Sequence, residues 1–203
     1  MIMMTLEGLN LEQQEAVMTT EGPLLVLAGA GSGKTKVLTT RVAYLIQNMG
    51  VYPEAILAIT FTNKAAKEMK ERIVGMLGPL GYQIQISTFH SFGLLILREN
   101  YERLGYKSNF TILDSDDSLT IIKKIMKDMN LDVKQYNPRA IRNKISSAKN
   151  ELVTPIEYER IAMTDFEEIV ASIYEKYENK LHLNNSVDFD DLLMLPLTLF
   201  GQY

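Results

Sequence analysis

Cysteine and tryptophan are absent from the 203 residues, and histidine occurs only twice. Without cysteine the chain can form neither a disulfide nor a thiolate zinc site. No apolar run approaches the about 20 residues that a membrane-spanning helix needs, so we expect no membrane partner. The first residues, Met1 to Met4, lack the basic flank of a signal peptide. The cytoplasm is therefore the expected location.

Positive charge is also scarce, because 21 Lys and Arg stand against 25 Asp and Glu and the net charge is −4. This balance argues against a generic nucleic-acid binder. The distribution is uneven, however: residues 134–150 carry five basic side chains and no acid, whereas residues 151–191 carry eleven acids and three basic side chains. Such asymmetry permits a local basic footprint on an acidic chain.

A glycine-rich stretch, AGAGSGKT at residues 28–35, is the strongest local motif. The apolar run at residues 24–27 predicts a buried strand before it, and apolar residues at helical spacing predict a helix after it. In that setting backbone N–H groups form an anion nest at a helix N-terminus. Lys34 is expected to reach the β- and γ-phosphates of a nucleotide, and the Thr35 hydroxyl to hold Mg²⁺. The alternative is a glycine-rich turn with an exposed lysine, and Ala28 departs from the strict pattern, which has glycine there.

A glutamine-containing helix is predicted upstream of this loop, with Asn10 as its N-cap. The carboxamide of Gln13 can donate to and accept from adenine at the same time. Alternatively, Gln13 and Gln14 are solvated residues of a surface helix.

Strands and helices alternate after the loop, which predicts parallel strands with right-handed crossovers. The predicted strands cover residues 56–60 and 84–87, and helices follow each of them. Ligands bind at the carboxyl ends of such strands, where polar residues 60–64 and 87–91 lie. From about residue 109 helices dominate, with starts near Asp114, Pro138 and Asp165, which predicts an all-α module inserted after the third strand.

Together these stretches resemble the amino-terminal part of superfamily 1 DNA helicases of the PcrA/UvrD/Rep type. The similarity runs through the glutamine segment, the loop with alanine at its first position, TFTNKAA at residues 60–66 and STFHSF at residues 87–92. AKNEL at residues 148–152 and VDFDDL at residues 187–192 resemble the helical insert and its exit. The resemblance covers essentially the whole chain.

The resemblance implies a P-loop NTPase (RecA-like) α/β fold with a parallel sheet and an inserted all-α subdomain. It implies the first part of the ATP-binding domain at residues 1–108, the insert at residues 109–186 and the return to the first domain at residues 187–203. The family's acidic metal-binding motif and its second motor domain are not in these residues, so the chain is interpreted as a fragment. Asp188, Asp190 and Asp191 are rejected as a substitute for that motif, because a polar stretch precedes them.

The function implied is ATP-dependent 3′-to-5′ movement on single-stranded DNA, with ATP and Mg²⁺ as cofactors and the rest of the helicase and a duplex junction as partners. The residues implied for ATP are Gln13, Ala28, Gly29, Ala30, Gly31, Ser32, Gly33, Lys34, Thr35 and Lys36, with Lys34 and Thr35 catalytic and Thr35 on the metal. The residues implied for DNA are Thr60, Phe61, Asn63, Thr88, His90, Arg142 and Lys149. Two other functions stay open at this point: a nucleotide-binding module without hydrolysis, and a small-molecule kinase using the same loop.

Overall fold

The computed structural model describes residues 6–202, so the expectations about Met1 to Met4 and about Tyr203 lie outside the described residues. The structure mixes helices with two small parallel sheets. The chain divides into two compact units, with the boundary between Phe89 and His90. The three-part domain division remains a prediction.

The first unit contains two parallel strands flanked by helices. Its helices are α1 (Leu11–Met18), α2 (Lys34–Gln47) and α3 (Asn63–Leu77), and its strands are β1 (Leu57–Thr60) and β2 (Gln85–Thr88). The register of β1 and β2 pairs Leu57 with Gln85 and Thr60 with Thr88, so the two strands end side by side. The core lies between α2, α3 and the sheet, around Ile46, Ile73 and Ile84.

The strand predicted at residues 24–27 is wrong for this structure, because the segment has no regular secondary structure. Its side chains are also not buried: Leu25 is 82% exposed and Leu27 is 86% exposed. A strand is stabilised by hydrogen bonds to a neighbour, and among the described residues β1 pairs only with β2. An apolar run alone therefore did not suffice to make a strand here.

The second unit is mainly helical. It contains α4 (Phe89–Asn100, whose first residue belongs to the first unit), α5 (Ser115–Asp128), α6 (Pro138–Asn150), α7 (Pro155–Ile161), α8 (Asp165–Leu183) and α9 (Asp191–Gln202). Two-residue strands β3 (Thr111–Ile112) and β4 (Ser186–Val187) pair in parallel. The main core joins α5, α6, α7 and α8, with Tyr174 and Tyr177 of α8 almost completely buried.

A close approach joins α4 to α9 at Gly93. A Cβ at this position would collide with the carbonyl oxygen of Leu192, so only glycine fits. This contact holds the segment after β4 against the amino-terminal part of the unit. No helix among residues 6–202 is long and apolar enough to cross a membrane.

Candidate nucleotide and nucleic-acid sites

The glycine-rich loop has the backbone of an anion-binding turn. Gly31 and Gly33 adopt left-handed φ angles of 76° and 83°, which side chains other than glycine rarely adopt. Gly33 is the N-cap of α2, and no side chain caps the helix there. The first N–H groups of α2 are therefore free of a side-chain acceptor and carry the positive end of the helix dipole.

Lys34 is the first residue of α2, and its side chain bends back over the loop. The Nζ atom donates to the carbonyl oxygens of Gly29 at 2.6 Å and Ala28 at 3.1 Å. Ser32 closes the turn, since its hydroxyl donates to Gly29 O at 2.8 Å. Both Lys34 and Thr35 are exposed. An exposed ammonium beside a helix N-terminus is suited to binding a polyphosphate.

Gln13 connects α1 to the loop. Its Oε1 accepts from the N–H of Asn10, completing a capping box, while its Nε2 donates to Ser32 O at 2.9 Å. A methyl group on Gly33 would lie 3.1 Å from that Nε2 atom. The carboxamide is thus held beside the loop, whereas Gln14 donates to Leu9 O instead.

Two cationic side chains of α2 hold the ends of α1. Lys36 Nζ donates to Gly8 O at 2.7 Å, before the helix, and Arg41 donates to Ala16 O and Thr19 O, at its end. Lys36 was predicted in the nucleotide site, and the structure places its ammonium on this backbone carbonyl. Arg41 was not singled out from the sequence, because nothing local distinguishes it from a surface arginine.

A cavity of about 620 Å³ lies between α1, the loop and α2. Its walls include Gln13, Lys34, Val37 and Arg41, and it reaches the exposed residues 24–29. Its lining combines apolar side chains, residues of the glycine-rich loop and the carboxamide of Gln13. That combination suits a purine nucleotide with its phosphates on the loop.

The Thr35 hydroxyl could supply one of the several oxygen ligands that Mg²⁺ needs. Mg²⁺ prefers six oxygen ligands and commonly takes several from waters and phosphates. Among the described residues, the group of three carboxylates close enough to share an ion is Glu178, Asp188 and Asp191. Lys149 occupies their centre. The Thr35 hydroxyl is therefore a candidate Mg²⁺ ligand of this loop, with the other ligands coming from waters and nucleotide oxygens.

The two polar stretches predicted to bind DNA meet at the ends of β1 and β2. Thr60 and Thr88 are register partners, and the rings of Phe61 and Phe89 lie 5.9 Å apart. Phe61 is 90% exposed, which is unusual for an aromatic side chain and leaves its face free for a base. Asn63 starts α3 and is exposed. Thr88 is buried, so its side chain offers little surface to a ligand.

His90 has an aromatic partner that the sequence did not reveal. Its ring stacks on Phe189 with centroids 4.3 Å apart, and Phe189 as a residue is 56% exposed. Phe189 lies in the turn before α9, 99 residues further along the chain. The only sequence signal was a single aromatic residue within a run of acids.

Of the two basic residues predicted on the insert, Arg142 faces a cleft and Lys149 does not. Arg142 lines a cavity of about 360 Å³ with Phe189 and Asp190, and it donates to Ser115 O at 3.3 Å. The Lys149 side chain is 0% exposed. The prediction that Lys149 contacts DNA phosphates is therefore wrong, because its ammonium is enclosed by carboxylates and cannot reach a ligand.

Lys149 Nζ lies 2.7 Å from Glu178 Oε1 and 2.8 Å from both Asp188 Oδ2 and Asp191 Oδ1. Burial alone would lower the pKa of Lys149, but the three carboxylates hold it well above its ordinary value. Burial raises the pKa of Asp191 to about 7, against the attraction of Lys149. Burial likewise raises the pKa of Glu178. Tyr177 adds a hydrogen bond to Asp188 Oδ2 at 3.0 Å.

Comparison with known proteins matches the chain to one family model and to relatives that are helicases. Residues 9–203 match the model of the UvrD/REP helicase N-terminal domain. The chain is 55% identical over 197 residues to the ATP-dependent DNA helicase PcrA of Bacillus subtilis, covering 97% of this chain and 27% of that protein. It is 51% identical over 194 residues to PcrA of Leuconostoc citreum, covering 95% and 26%. It is 49% identical over 195 residues to PcrA of Staphylococcus aureus strain Mu50, covering 96% and 27%.

Proposed function

The chain belongs to the UvrD/REP helicase family, and from that premise we propose that it is the ATP-binding amino-terminal part of a helicase that moves 3′ to 5′ along single-stranded DNA. The chain spans about a quarter of the length of the curated relatives it matches, which are ATP-dependent DNA helicases. The remainder of the helicase and a single-strand–duplex junction are the proposed partners, and the cytoplasm is the proposed location.

The nucleotide site is proposed at the glycine-rich loop. ATP phosphates would accept from the free N–H groups of α2, and Lys34 would exchange its two carbonyl acceptors for β- and γ-phosphate oxygens. Thr35 would hold Mg²⁺, which neutralises phosphate charge when bound. Gln13, held against Ser32, would read the adenine edge. Lys36 would support this site by fixing Gly8 rather than by touching the base.

Two DNA contacts are proposed, one within each unit, and each rests on an exposed aromatic side chain. In the first unit Phe61 offers its face at the end of β1, with Thr60 and Asn63 beside it. In the second unit Phe189 and His90 form a stacked pair. Arg142 would contact phosphates of the duplex. Stacking tolerates any base sequence, which suits a motor that moves along DNA.

One observation carries this proposal: the exposed Phe61 ring stands at the strand ends in the same unit as the glycine-rich loop. Phe61→Ala should weaken binding of a fluorescein-labelled oligo-dT about tenfold, since one stacked base contributes about 1–3 kcal/mol. Tyr82→Ala, which removes another exposed aromatic side chain of the same unit, is the matched control. Equal affinities for both variants would remove Phe61 from the DNA site.

We also propose that the 203-residue chain hydrolyses ATP only near the background rate. Hydrolysis by this class requires an acidic Mg²⁺ ligand, a group that orients water and an arginine at the transferred phosphate. The clustered carboxylates in the described part of the chain surround Lys149 instead. An ATPase rate that rose many-fold with oligo-dT, and lost that rise in Lys34→Ala, would contradict this proposal.

A further inference from the structure

Two consecutive residues of α6, Lys149 and Asn150, donate hydrogen bonds to the turn from Asp188 to Asp191. Lys149 Nζ donates to Asp188 Oδ2 and Asp191 Oδ1, both at 2.8 Å. Asn150 Nδ2 donates to Asp190 Oδ1 at 3.1 Å. Lys149 and Asn150 thus hold the carboxylates of Asp188, Asp190 and Asp191, which lie 39 to 42 residues away in sequence.

The same turn is also braced internally. The N–H of Asp188 donates to Asp191 Oδ2, and the N–H of Asp191 donates to Asp188 Oδ1, both at 2.9 Å. Each acidic side chain of the turn therefore has a defined partner. The remaining side chain, that of Phe189, makes no such bond, but its ring stacks on His90 and the residue is 56% exposed.

We propose that Lys149 and Asn150 are positioning residues, which hold the 188–191 turn so that Phe189 stays stacked on His90 and presents its free face to a single-stranded base. This rests on the proposed DNA-binding function. It also gives a joint role to residues 148–152 and 187–192, the stretches that resemble the insert and its exit: the first supplies the ammonium and the amide, and the second supplies the carboxylates.

Stability alone is a weak reason for such a cluster. Glu178, Asp188 and Asp191 outnumber the single ammonium of Lys149 at this buried site, and apolar residues of similar volume often stabilise a core as well or better. In some proteins a buried, directional ion network fixes one geometry of the segments that it joins. Here the network joins α6 to the 188–191 turn, and that turn carries the exposed side chain of Phe189.

The absence of tryptophan allows a direct test. Phe189→Trp places one indole in the turn, and acrylamide quenching then reports how well the ring is held. In this background Lys149→Met should raise the quenching constant about twofold, because the turn is released. Lys176→Met, which removes an exposed lysine from α8 of the same unit, should leave it unchanged. Unchanged quenching in a folded Lys149→Met protein would overturn the proposal.

Binding to labelled oligo-dT at low salt is the second readout. Lys149→Met in the otherwise natural chain should weaken binding about tenfold, as far as Phe189→Ala does. Lys176→Met serves again as control, because it removes the same charge. If circular dichroism shows that Lys149→Met does not fold, the oligo-dT affinity of Asn150→Ala tests the proposal instead. This substitution leaves the buried ions intact and should weaken oligo-dT binding about threefold, and an unchanged affinity overturns the proposal.

The outcomes separate this inference from the DNA-binding function on which it rests. If Phe61→Ala weakens oligo-dT binding and Phe189→Ala does not, the DNA function stands and the positioning role fails. If neither variant weakens binding, the proposed DNA interface fails, and the positioning role fails with it even where the quenching result holds. If Phe189→Ala weakens binding while Lys149→Met and Asn150→Ala bind normally, Phe189 contacts DNA without needing Lys149 or Asn150, and the positioning role fails.

Discussion

Replacing Lys149 by methionine should be among the most damaging single changes in the second unit. The substitution keeps an unbranched side chain of similar length but removes an ammonium that has three oxygens within 2.8 Å. Removing one partner of a buried ion pair costs about 3–5 kcal/mol, because the remaining charges are left uncompensated. The loss is a large part of the about 5–15 kcal/mol that holds a typical domain folded.

Urea unfolding followed by circular dichroism measures this loss. With a denaturant slope of about 1–3 kcal/mol per molar urea, the midpoint should fall by more than about 1 M. The matched Lys176→Met protein, which loses an exposed lysine, should stay within about 0.5 kcal/mol of the natural chain. A loss below about 1 kcal/mol for Lys149→Met would refute the reasoning, since it would mean that the carboxylates do not depend on this cation.

Three further predictions concern pH, base choice and the loop. Burial raises the pKa of Asp191 from 3.8 to about 7, so protonation of this carboxylate stabilises the folded state. This contribution to the free energy of unfolding is complete below pH 3.8 and is lost as the pH rises through 7. The urea midpoint of the natural chain should therefore rise relative to that of Asp191→Asn when the pH is lowered from 8 to 6, and a constant difference would argue against the raised pKa. Gln13→Ala should narrow the preference for ATP over GTP by about 1–3 kcal/mol in competition binding, whereas Gln14→Ala should preserve it. Gly33→Ala should weaken nucleotide binding, because the left-handed φ of 83° costs a residue with a side chain about 1–2 kcal/mol. Gly75→Ala, in the open interior of α3, is its control, and equal nucleotide affinities would show that the loop tolerates a side chain.

Local pattern predicted much of the fold. Strands β1 and β2 and the helices after them lie within a few residues of the predicted positions, because each combines apolar periodicity with a capping or turn residue. Pro138 and Asp165 also begin helices as predicted. Such features depend on neighbouring residues, and a single sequence contains that information.

Features that depend on distant partners were not predictable in this way. Residues 24–27 have the composition of a buried strand, yet strand formation needs a neighbour that composition does not specify. Lys149 is a basic residue on a basic helix, and its contacts with Glu178, Asp188 and Asp191, 29 to 42 residues further along the chain, enclose its ammonium. The stacking of His90 on Phe189 likewise joins residues that are far apart in sequence. The sequence signal for these contacts is a basic helix followed, about 40 residues later, by acidic residues at 188–191, and this signal does not specify which residues pair.

Binding of ATP with Mg²⁺ to the 203-residue chain, measured by isothermal titration calorimetry, tests the central claim most directly. The account predicts weak but measurable binding that Lys34→Ala abolishes, because the loop loses the ammonium that reaches the β- and γ-phosphates. Lys67→Ala, which removes an exposed lysine from α3, should bind as the natural chain does. Undiminished ATP binding by Lys34→Ala would place the nucleotide elsewhere and contradict the account.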